Sequence, residues 1–307
     1  MHPAVVEKDF WVCFVLAKLF SDAYLKDRIV FKGGTSLSKV HGIIERFSED
    51  IDLVLDWRVL GYEAQLKDAY PTFKSKTQQD KFNKAVNAKA AEFIGGELLA
   101  HLTNLLAGCN VLCTLNQDDP HIIAVLYPAA FSQDYLRPEI WLEIGPLASF
   151  VPSAIRPIRP YSAESFPHLF TNPTCDVVAI DAERTFWEKA TILHQQAHRV
   201  SVLPRGYARH YYDMYKLAHS PVKSSALSNL KLLADVVTFK QCFYPSGPAN
   251  YHLAKPGTLR LVPKPEQLAE LKKDYRQMTV MIFGEIPEFD GIIATLTALE
   301  AEANALT

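Results

Sequence analysis

The stretch from Phe31 to Leu55 constrains the fold of this 307-residue chain more than any other part of its sequence. A short run rich in β-branched and aromatic residues, Arg28 to Phe31, predicts a strand that enters a tight turn at Gly33 and Gly34. Ile51 to Leu55 predicts a second strand. A helix between the turn and this strand completes a strand–helix–strand unit, which is typical of α/β domains.

The periodicity of apolar residues divides the rest of the chain into two parts. It predicts helices at Ala4 to Leu25, from Thr35 or Ser36 to about Glu45, and at Leu66 to Leu106, Asp181 to Arg199, Tyr207 to His219, Pro265 to Phe283 and Phe289 to Leu306. It predicts further strands at Cys109 to Leu115, Ile122 to Leu126 and Ile140 to Ile144. Clustered prolines from Pro146 to Pro173 predict an extended surface connection. We therefore expect an α/β domain over residues 1–160 and a mainly helical domain over residues 161–307.

The composition excludes several classes of protein. With 49% hydrophobic residues the chain can bury a sizeable core, and its net charge of −2 leaves nucleic-acid binding to a local basic groove. No apolar run reaches the roughly 18 residues of a membrane span, and we expect no signal peptide. Five cysteines without disulfide or zinc spacing favour free thiols in a reducing cytoplasm.

Asp50 and Asp52 carry the strongest chemical signal in the sequence. Alternate side chains of a strand share a face, so both carboxylates project together while Ile51 packs behind them. Their repulsion, roughly 1 to 4 kcal/mol, is offset by a hard divalent cation with oxygen ligands. A solvated edge-strand pair is the alternative, but the preceding glycine turn, which lets a phosphate approach the backbone, favours a metal site.

A third carboxylate is expected because two-metal phosphoryl-transfer sites need one. The strand from Glu139 to Ile144 offers Glu139 and Glu143 on one face. Glu143 lies further into the strand and is the predicted ligand, whereas Glu139 follows Pro138 at the strand entrance and is expected to be solvated. A surface glutamate remains the alternative for Glu143.

Two helical positions and one loop complete the candidate residues. Lys189 lies at the edge of an apolar stripe, where it either reaches water or projects into a cleft and binds phosphates. Asp213 has Arg209 and Lys216 one helical turn away, so local ion pairing is the alternative to a functional role. A basic patch for RNA, or else a solvated loop, is formed by Arg199, Arg205, Arg209 and His210.

Six stretches of the sequence agree in order and spacing with one known family between about residues 5 and 220. They are EKDFW from Glu7, KGGTSLSK from Lys32, ERFSEDIDL from Glu45, LEIG from Leu142, ERTFWEKATIL from Glu183 and RHYYDMYKL from Arg209. Through these stretches the sequence resembles the AbiEii/AbiGii toxin family of nucleotidyltransferases, whose MenT-type members belong to toxin–antitoxin systems.

The resemblance implies a polymerase-β-like nucleotidyltransferase core with a mixed sheet, followed by a mostly helical domain. It implies that Gly33, Gly34, Thr35 and Ser36 cradle a nucleoside triphosphate. Asp50, Asp52 and Glu143 would hold Mg²⁺. Lys189 would contact phosphates, Asp213 is the acidic helical position of the family, and Arg46 and Ser48 would support the aspartate strand.

These assignments predict attack by an acceptor hydroxyl on the α-phosphorus of the triphosphate, with release of pyrophosphate. The resemblance implies that the acceptor is the 3′ end of tRNA, that translation is blocked, and that a cognate antitoxin exists. Transfer to a protein or a small molecule keeps the chemistry and changes the acceptor. A non-catalytic nucleotide-binding module is the alternative of a different class.

Overall fold

The computed structural model describes residues 2–62, 70–133, 136–199 and 203–306. Two compact units divide the chain: Met1–His41 with Phe47–Ile180, and Gly42–Arg46 with Asp181–Thr307. The main boundary therefore lies after Ile180 rather than after residue 160, because the chain beyond residue 160 still contributes a strand to the first unit.

The first unit contains a seven-stranded sheet within the described ranges. Its strands are β1 (Ile29–Lys32), β2 (Ile51–Leu55), β3 (Leu112–Leu115), β4 (Ile122–Leu126), β5 (Glu139–Gly145), β6 (Ser153–Ile158) and β7 (Cys175–Ile180). They lie in the order β3-β4-β5-β2-β1-β7-β6. The pairs β1–β7 and β2–β5 are parallel and the other four are antiparallel, so the predicted mixed α/β sheet is confirmed.

The helices of the first unit are α1 (Pro3–Ser21), α2 (Gly33–Lys39), α3 (Lys76–Phe93), α4 (Leu99–Leu105) and α5 (Tyr161–Ser165). A π-helical turn, Ile94–Leu98, joins α3 to α4. Local signals explain two of the starts. Pro3 occupies the first position of α1, and the Ser75 hydroxyl caps α3 by accepting the Gln78 N–H.

Several predicted boundaries in this unit are wrong. Helix α2 ends at Lys39 rather than near Glu45, and no side chain caps its start. Of the predicted helix from Leu66, residues 66–69 lie outside the described residues, Tyr70 to Ser75 are not helical, and α3 begins at Lys76. Strand β3 begins at Leu112 rather than Cys109, because Gly108 and Asn110 form a turn with positive φ angles.

The proline-rich region is not the predicted extended surface connection. It contains the strand β6 and the helix α5, and it leads into β7. Strand β6 lies at the edge of the sheet, where Pro157 pairs with Asp176. An edge position tolerates proline because the missing N–H falls on the unpaired side. The prolines therefore concealed the strand β6 from the sequence prediction.

The second unit is built from helices, as predicted. They are α6 (Ala182–His198), α7 (Ala208–Ala218), α8 (Val222–Leu227), α9 (Leu230–Phe243), α10 (Leu268–Met278) and α11 (Phe289–Asn304). The helices α8 and α9 had no counterpart in the sequence prediction. The apolar stripe of α6 is buried, including Phe186, Ala190 and Leu193. In the described part of the chain, no helix combines the length and apolarity that a membrane span requires.

His194 makes the stability of the second unit depend on pH. The imidazole is completely buried, its Nδ1 accepts the Arg260 N–H at 3.0 Å, and its Nε2 lies 3.2 Å from the Asn250 carbonyl oxygen. Burial lowers the pKa of His194 to about 4. The unfolded chain, with an ordinary histidine pKa, binds more protons than the folded protein between these two values, so stability falls as the pH falls.

We expect His194 to account for a loss of about 2 kcal/mol in the free energy of unfolding between about pH 7.5 and about pH 5. Urea denaturation at the two pH values measures this loss. The His194→Gln variant should be less stable at neutral pH and should lose less on acidification. His168→Gln, which changes an exposed histidine, should keep the wild-type dependence. An unchanged slope in His194→Gln would contradict the assignment.

Candidate active site

Three charged residues form a row across the middle of the sheet. Asp52 on β2 pairs with Lys32 on β1 and with Glu143 on β5. Paired residues of neighbouring strands project from the same face, with Cβ atoms about 5 Å apart. The register therefore brings the predicted third carboxylate next to Asp52. Their sequence neighbours Ile51 and Leu142 are buried on the opposite face.

The glycine turn lies directly against this row. Gly33 has a φ angle of +81°, and a Cβ atom at this position would overlap the Asp52 carboxylate. Only glycine permits both the backbone conformation and the close approach. Gly34 follows in the first turn of α2. The turn and the aspartate strand, which are separate in sequence, are thus neighbours in space.

Thr35 and Ser36 are almost completely buried. The Thr35 hydroxyl donates a hydrogen bond of 2.5 Å to the carbonyl oxygen of Asp50. This bond ties the glycine turn to the entrance of β2. Because the Thr35 hydroxyl is engaged in this way, contact between Thr35 and a phosphate would involve its backbone amide.

Asp50 lies among charged groups at the entrance of β2. Its side chain is 25% exposed, and its Oδ1 lies 3.6 Å from Nη2 of Arg137. Burial raises the pKa of the Asp50 carboxyl, Arg137 lowers it, and the carboxylates of Glu49 and Asp52 raise it further. The two aspartates are therefore close enough to interact electrostatically, and a shared face for their carboxylates stays a prediction.

Lys8 holds the neighbouring chain segments in place. Its ammonium is buried and donates to Glu49 at 2.7 Å and to the carbonyl oxygen of Arg137 at 3.0 Å. The adjacent Asp9 forms a second buried ion pair, with Lys39 at 2.7 Å. The EKDFW stretch thus connects α1 to the entrance of β2 and to the end of α2.

Gly33→Ala is expected to disrupt the site more than the fold. A non-glycine residue at this φ costs on the order of 1 to 3 kcal/mol, and the new methyl group must also displace the Asp52 carboxylate. We expect nucleotide transfer to fall by about a hundredfold or more, as for a catalytic group misplaced by about 1 Å. A radiolabelled-nucleotide assay and thermal melting measure the two effects.

Gly61→Ala is the matched control for this prediction. Gly61 has a φ angle of +75°, but an added Cβ would meet no atom within 4 Å. The Gly61→Ala variant should lose about as much stability as Gly33→Ala and should keep its transfer activity. Equal activity in the two variants would show that the approach of Gly33 to Asp52 has no catalytic importance.

The carboxylates at this site suit a magnesium ion that is also bound by phosphate oxygens and water. Within the described ranges, no group of three or more histidine, cysteine, aspartate or glutamate side chains is assembled to hold a metal. Magnesium, however, is commonly bound by one or two carboxylates together with phosphate oxygens and water. Asp50 and Asp52 are carboxylate donors beside a turn that only glycine can form, so the donor chemistry fits an ion that arrives with a triphosphate.

A buried ion cluster occupies the second unit. Asp213 is fully buried and accepts hydrogen bonds of 2.7 Å from both Nε and Nη2 of Arg46. Nζ of Lys189 lies 2.7 Å from Oδ2 of Asp213, the same oxygen that accepts the hydrogen bond from Nη2 of Arg46. The two cations hold the pKa of Asp213 well below its ordinary value, against the effect of burial.

This cluster bears on three interpretations of the sequence. Asp213 pairs with Arg46 and Lys189 rather than with its helical neighbours, and Lys216 pairs with Glu45 instead. Arg46 belongs to the second unit and pairs there with Asp213, so its support of the aspartate strand stays a prediction. Lys189 is buried and neither reaches water nor lies unpaired, so its contact with phosphate stays a prediction.

The predicted basic patch is uneven. Arg205 and Arg209 are exposed, whereas Arg199 and His210 are partly buried. Burial, together with the charges of Lys189 and Arg209, lowers the pKa of His210 well below its ordinary value. His210 is therefore neutral at physiological pH and adds no positive charge to the patch.

Four residues around Asp50 were not singled out from the sequence: Lys8, Glu49, Arg137 and Trp141. Lys8 lies in a stretch whose pattern resembles the family, but nothing in the sequence indicates that it reaches Glu49. Trp141 alternates with the buried Ile140 and Leu142, which places it on the face of Glu143. That alternation was the one signal available for it.

The first unit thus places a glycine turn against Asp52 on a mixed sheet, with Glu143 in register on the next strand. The chain belongs to the family of nucleotidyl transferase AbiEii toxins of type IV toxin–antitoxin systems, whose family model matches residues 15–295. The resemblance noted from the sequence motifs is thereby confirmed. A comparison with curated proteins gives no match.

Two solved structures are similar to this chain. MenT4, a nucleotidyltransferase toxin from Mycobacterium tuberculosis H37Rv, is 17% identical with a TM-score of 0.45. JHP933 from Helicobacter pylori is 13% identical with a TM-score of 0.47. Each comparison covers 99% of this chain and 93% of the other.

Proposed function

We propose that this toxin transfers a nucleotide from a nucleoside triphosphate to the 3′ acceptor end of tRNA, with Mg²⁺, and thereby blocks translation in the cytoplasm. The observation that carries the proposal is the contact between Gly33 and Asp52, with Glu143 in register on the next strand. This arrangement joins a turn suited to phosphate with carboxylates suited to a divalent cation. The family supports the chemistry and the role as a toxin.

The candidate site residues of the first unit have separate parts in this reaction. The turn from Gly33 to Ser36 binds the triphosphate through its backbone, and Asp50 and Asp52 provide the carboxylate oxygens for Mg²⁺. When bound, Mg²⁺ neutralises phosphate charge. The acceptor hydroxyl attacks the α-phosphorus, the bond between the α- and β-phosphates breaks, and pyrophosphate leaves. Glu143 takes the proton of the hydroxyl.

Incubation with each labelled triphosphate in turn, together with Mg²⁺ and fractionated cell material, tests the proposal. We expect label in the tRNA fraction, lost when the tRNA 3′ end is blocked by periodate oxidation. Label in the protein or small-molecule fraction would keep the reaction and replace the acceptor. If no fraction acquires label while magnesium-dependent triphosphate binding persists, the protein is a nucleotide-binding module and the proposal is wrong.

Growth measures the biological role independently of the acceptor. Expression without the cognate antitoxin should slow growth, and expression of a variant that cannot transfer nucleotide should not. Slow growth with both proteins would separate toxicity from nucleotide transfer.

A further inference from the structure

Arg137 is stacked on an aromatic ring beside the acidic pair. Its guanidinium carbon lies 3.5 Å from the centre of the Trp141 ring. Trp141 shares its face of β5 with Glu143, since the residues between and beside them are buried. A guanidinium stacked in this way keeps the N–H groups at its edge directed outward in a fixed plane, which suits binding of an oxyanion.

The contact between Arg137 and Asp50 is loose. The separation of 3.6 Å between Nη2 and Oδ1 exceeds the 2.7 to 2.9 Å that is usual for a charged hydrogen bond. The Arg137 side chain is also 42% exposed. Ion pairs of this kind contribute little stability, so the guanidinium can exchange Asp50 for another anion at small cost.

The backbone and the ring that carry this arginine are both anchored. Buried Lys8 binds the Arg137 carbonyl and Glu49 at once. The Trp141 Nε1–H donates a hydrogen bond of 2.7 Å to Glu139. Arg137 therefore combines a fixed base with an exposed charged end, a combination that lowers the entropic cost of binding a ligand.

A cation at Arg137 reduces the negative charge of the site, in addition to Lys32 beside Asp52. Glu49, Asp50, Asp52 and Glu143 all lie at or next to the face that would receive a triphosphate, and each repels it. Arginine binds phosphate with two parallel hydrogen bonds, each strengthened by charge. We propose that Arg137, held against Trp141, binds a phosphate group of the nucleoside triphosphate; this inference rests on the proposed function.

Binding measurements without acceptor test this role. Isothermal titration with Mg²⁺ uses five probes: ATP, CTP, GTP, UTP and inorganic triphosphate. For every probe that the wild type binds, Arg137→Ala should raise the dissociation constant by at least about tenfold. This factor is the equivalent of one charge-assisted hydrogen bond. Inorganic triphosphate should be affected by the same factor as the nucleotides, because it has no base. Arg137→Lys, which keeps the charge and loses the planar fork, should show an intermediate loss.

Arg159→Ala is the matched control. Arg159 is an exposed arginine of the same unit, 3.2 Å from Glu164, and its removal should leave all affinities unchanged. Trp141→Ala should weaken binding, whereas Trp141→Phe retains an aromatic face and should bind more tightly than Trp141→Ala. The double variant Arg137→Ala/Trp141→Ala should bind no more weakly than Arg137→Ala alone, because the ring acts through the arginine.

The outcomes distinguish this inference from the proposed function. If the wild type binds the probes and Arg137→Ala binds them equally well, the arginine is only a counter-ion and the inference is overturned. It is also overturned if nucleotides bind more weakly but inorganic triphosphate does not, since Arg137 would then contact base or ribose. A wild type that binds none of the probes overturns the proposed function and the inference with it. Thermal melting checks each fold, and Arg137→Lys carries the test if Arg137→Ala is unstable.

Discussion

Asp52→Ala should lower nucleotide transfer by about a thousandfold, equivalent to about 4 kcal/mol in the activation barrier, while the protein remains folded. Asp52 is the residue at which the turn, β1 and β5 meet: it contacts Gly33 and pairs with Lys32 and Glu143. Its loss removes a carboxylate from the charged face without opening the apolar core, since Asp52 is only partly buried. Radiolabel transfer and thermal melting measure the two parts of the prediction.

Two variants control for this result. Asp52→Asn keeps the shape of the side chain and removes the charge, so it should be nearly as inactive as Asp52→Ala. Asp80→Asn removes the charge of an exposed aspartate of the same unit, paired with Lys84 on α3, and should be fully active. Transfer at the wild-type rate in Asp52→Asn would exclude a metal ligand at this position.

Asp213→Ala should destabilise the protein by about 3 to 5 kcal/mol, the usual cost of leaving a buried charge without its partner. Both Arg46 and Lys189 would lose the carboxylate that they share, and all three residues are buried. Denaturation by urea, followed by circular dichroism, measures the change. The contribution of Asp213 is present above its unfolded pKa and is lost only as the pH falls towards its lowered folded pKa, so the effect should be fully visible at pH 7.

Lys189→Met is the informative comparison with Asp213→Ala. It removes one cation and leaves the two hydrogen bonds between Arg46 and Asp213 in place. The free energy of unfolding should therefore fall by clearly less in Lys189→Met than in Asp213→Ala. If Lys189→Met keeps most of its stability but loses triphosphate affinity, the phosphate-binding role predicted for Lys189 is supported. Wild-type stability in Asp213→Ala would show that the cluster contributes nothing to the fold.

What the sequence could predict was local. The strand from Ile51 to Leu55 and the alternation of Glu139 to Ile144 are consequences of neighbouring side chains, and the structure has both. Asp52 and Glu143 lie on these two strands and share a face once the strands are paired, while Asp50 comes immediately before β2. The pairing of the two strands was not predicted, and only the resemblance to a family brought Glu143 together with the aspartates.

What it could not predict depended on distant contacts. Lys8 reaches Glu49, and Arg46 reaches Asp213 across a sequence separation of 167 residues. No periodicity within a helix or strand reports such partners. The strand β6 was hidden for a different reason: proline is unfavourable inside a sheet but acceptable at its edge, and edge position is a property of the assembled sheet.

The segment Gly42–Arg46 has a consequence for how this toxin can be divided. It belongs to the helical unit although it lies between α2 and β2 of the other, so the polypeptide crosses from one unit to the other three times. No single cleavage yields two intact fragments, because residues 1–180 alone would carry Arg46 without Asp213. Unfolding of the helical unit would also release Arg46, which lies four residues before Asp50 in the sequence. Interleaving of this kind makes the unfolding of one part a direct disturbance of the other.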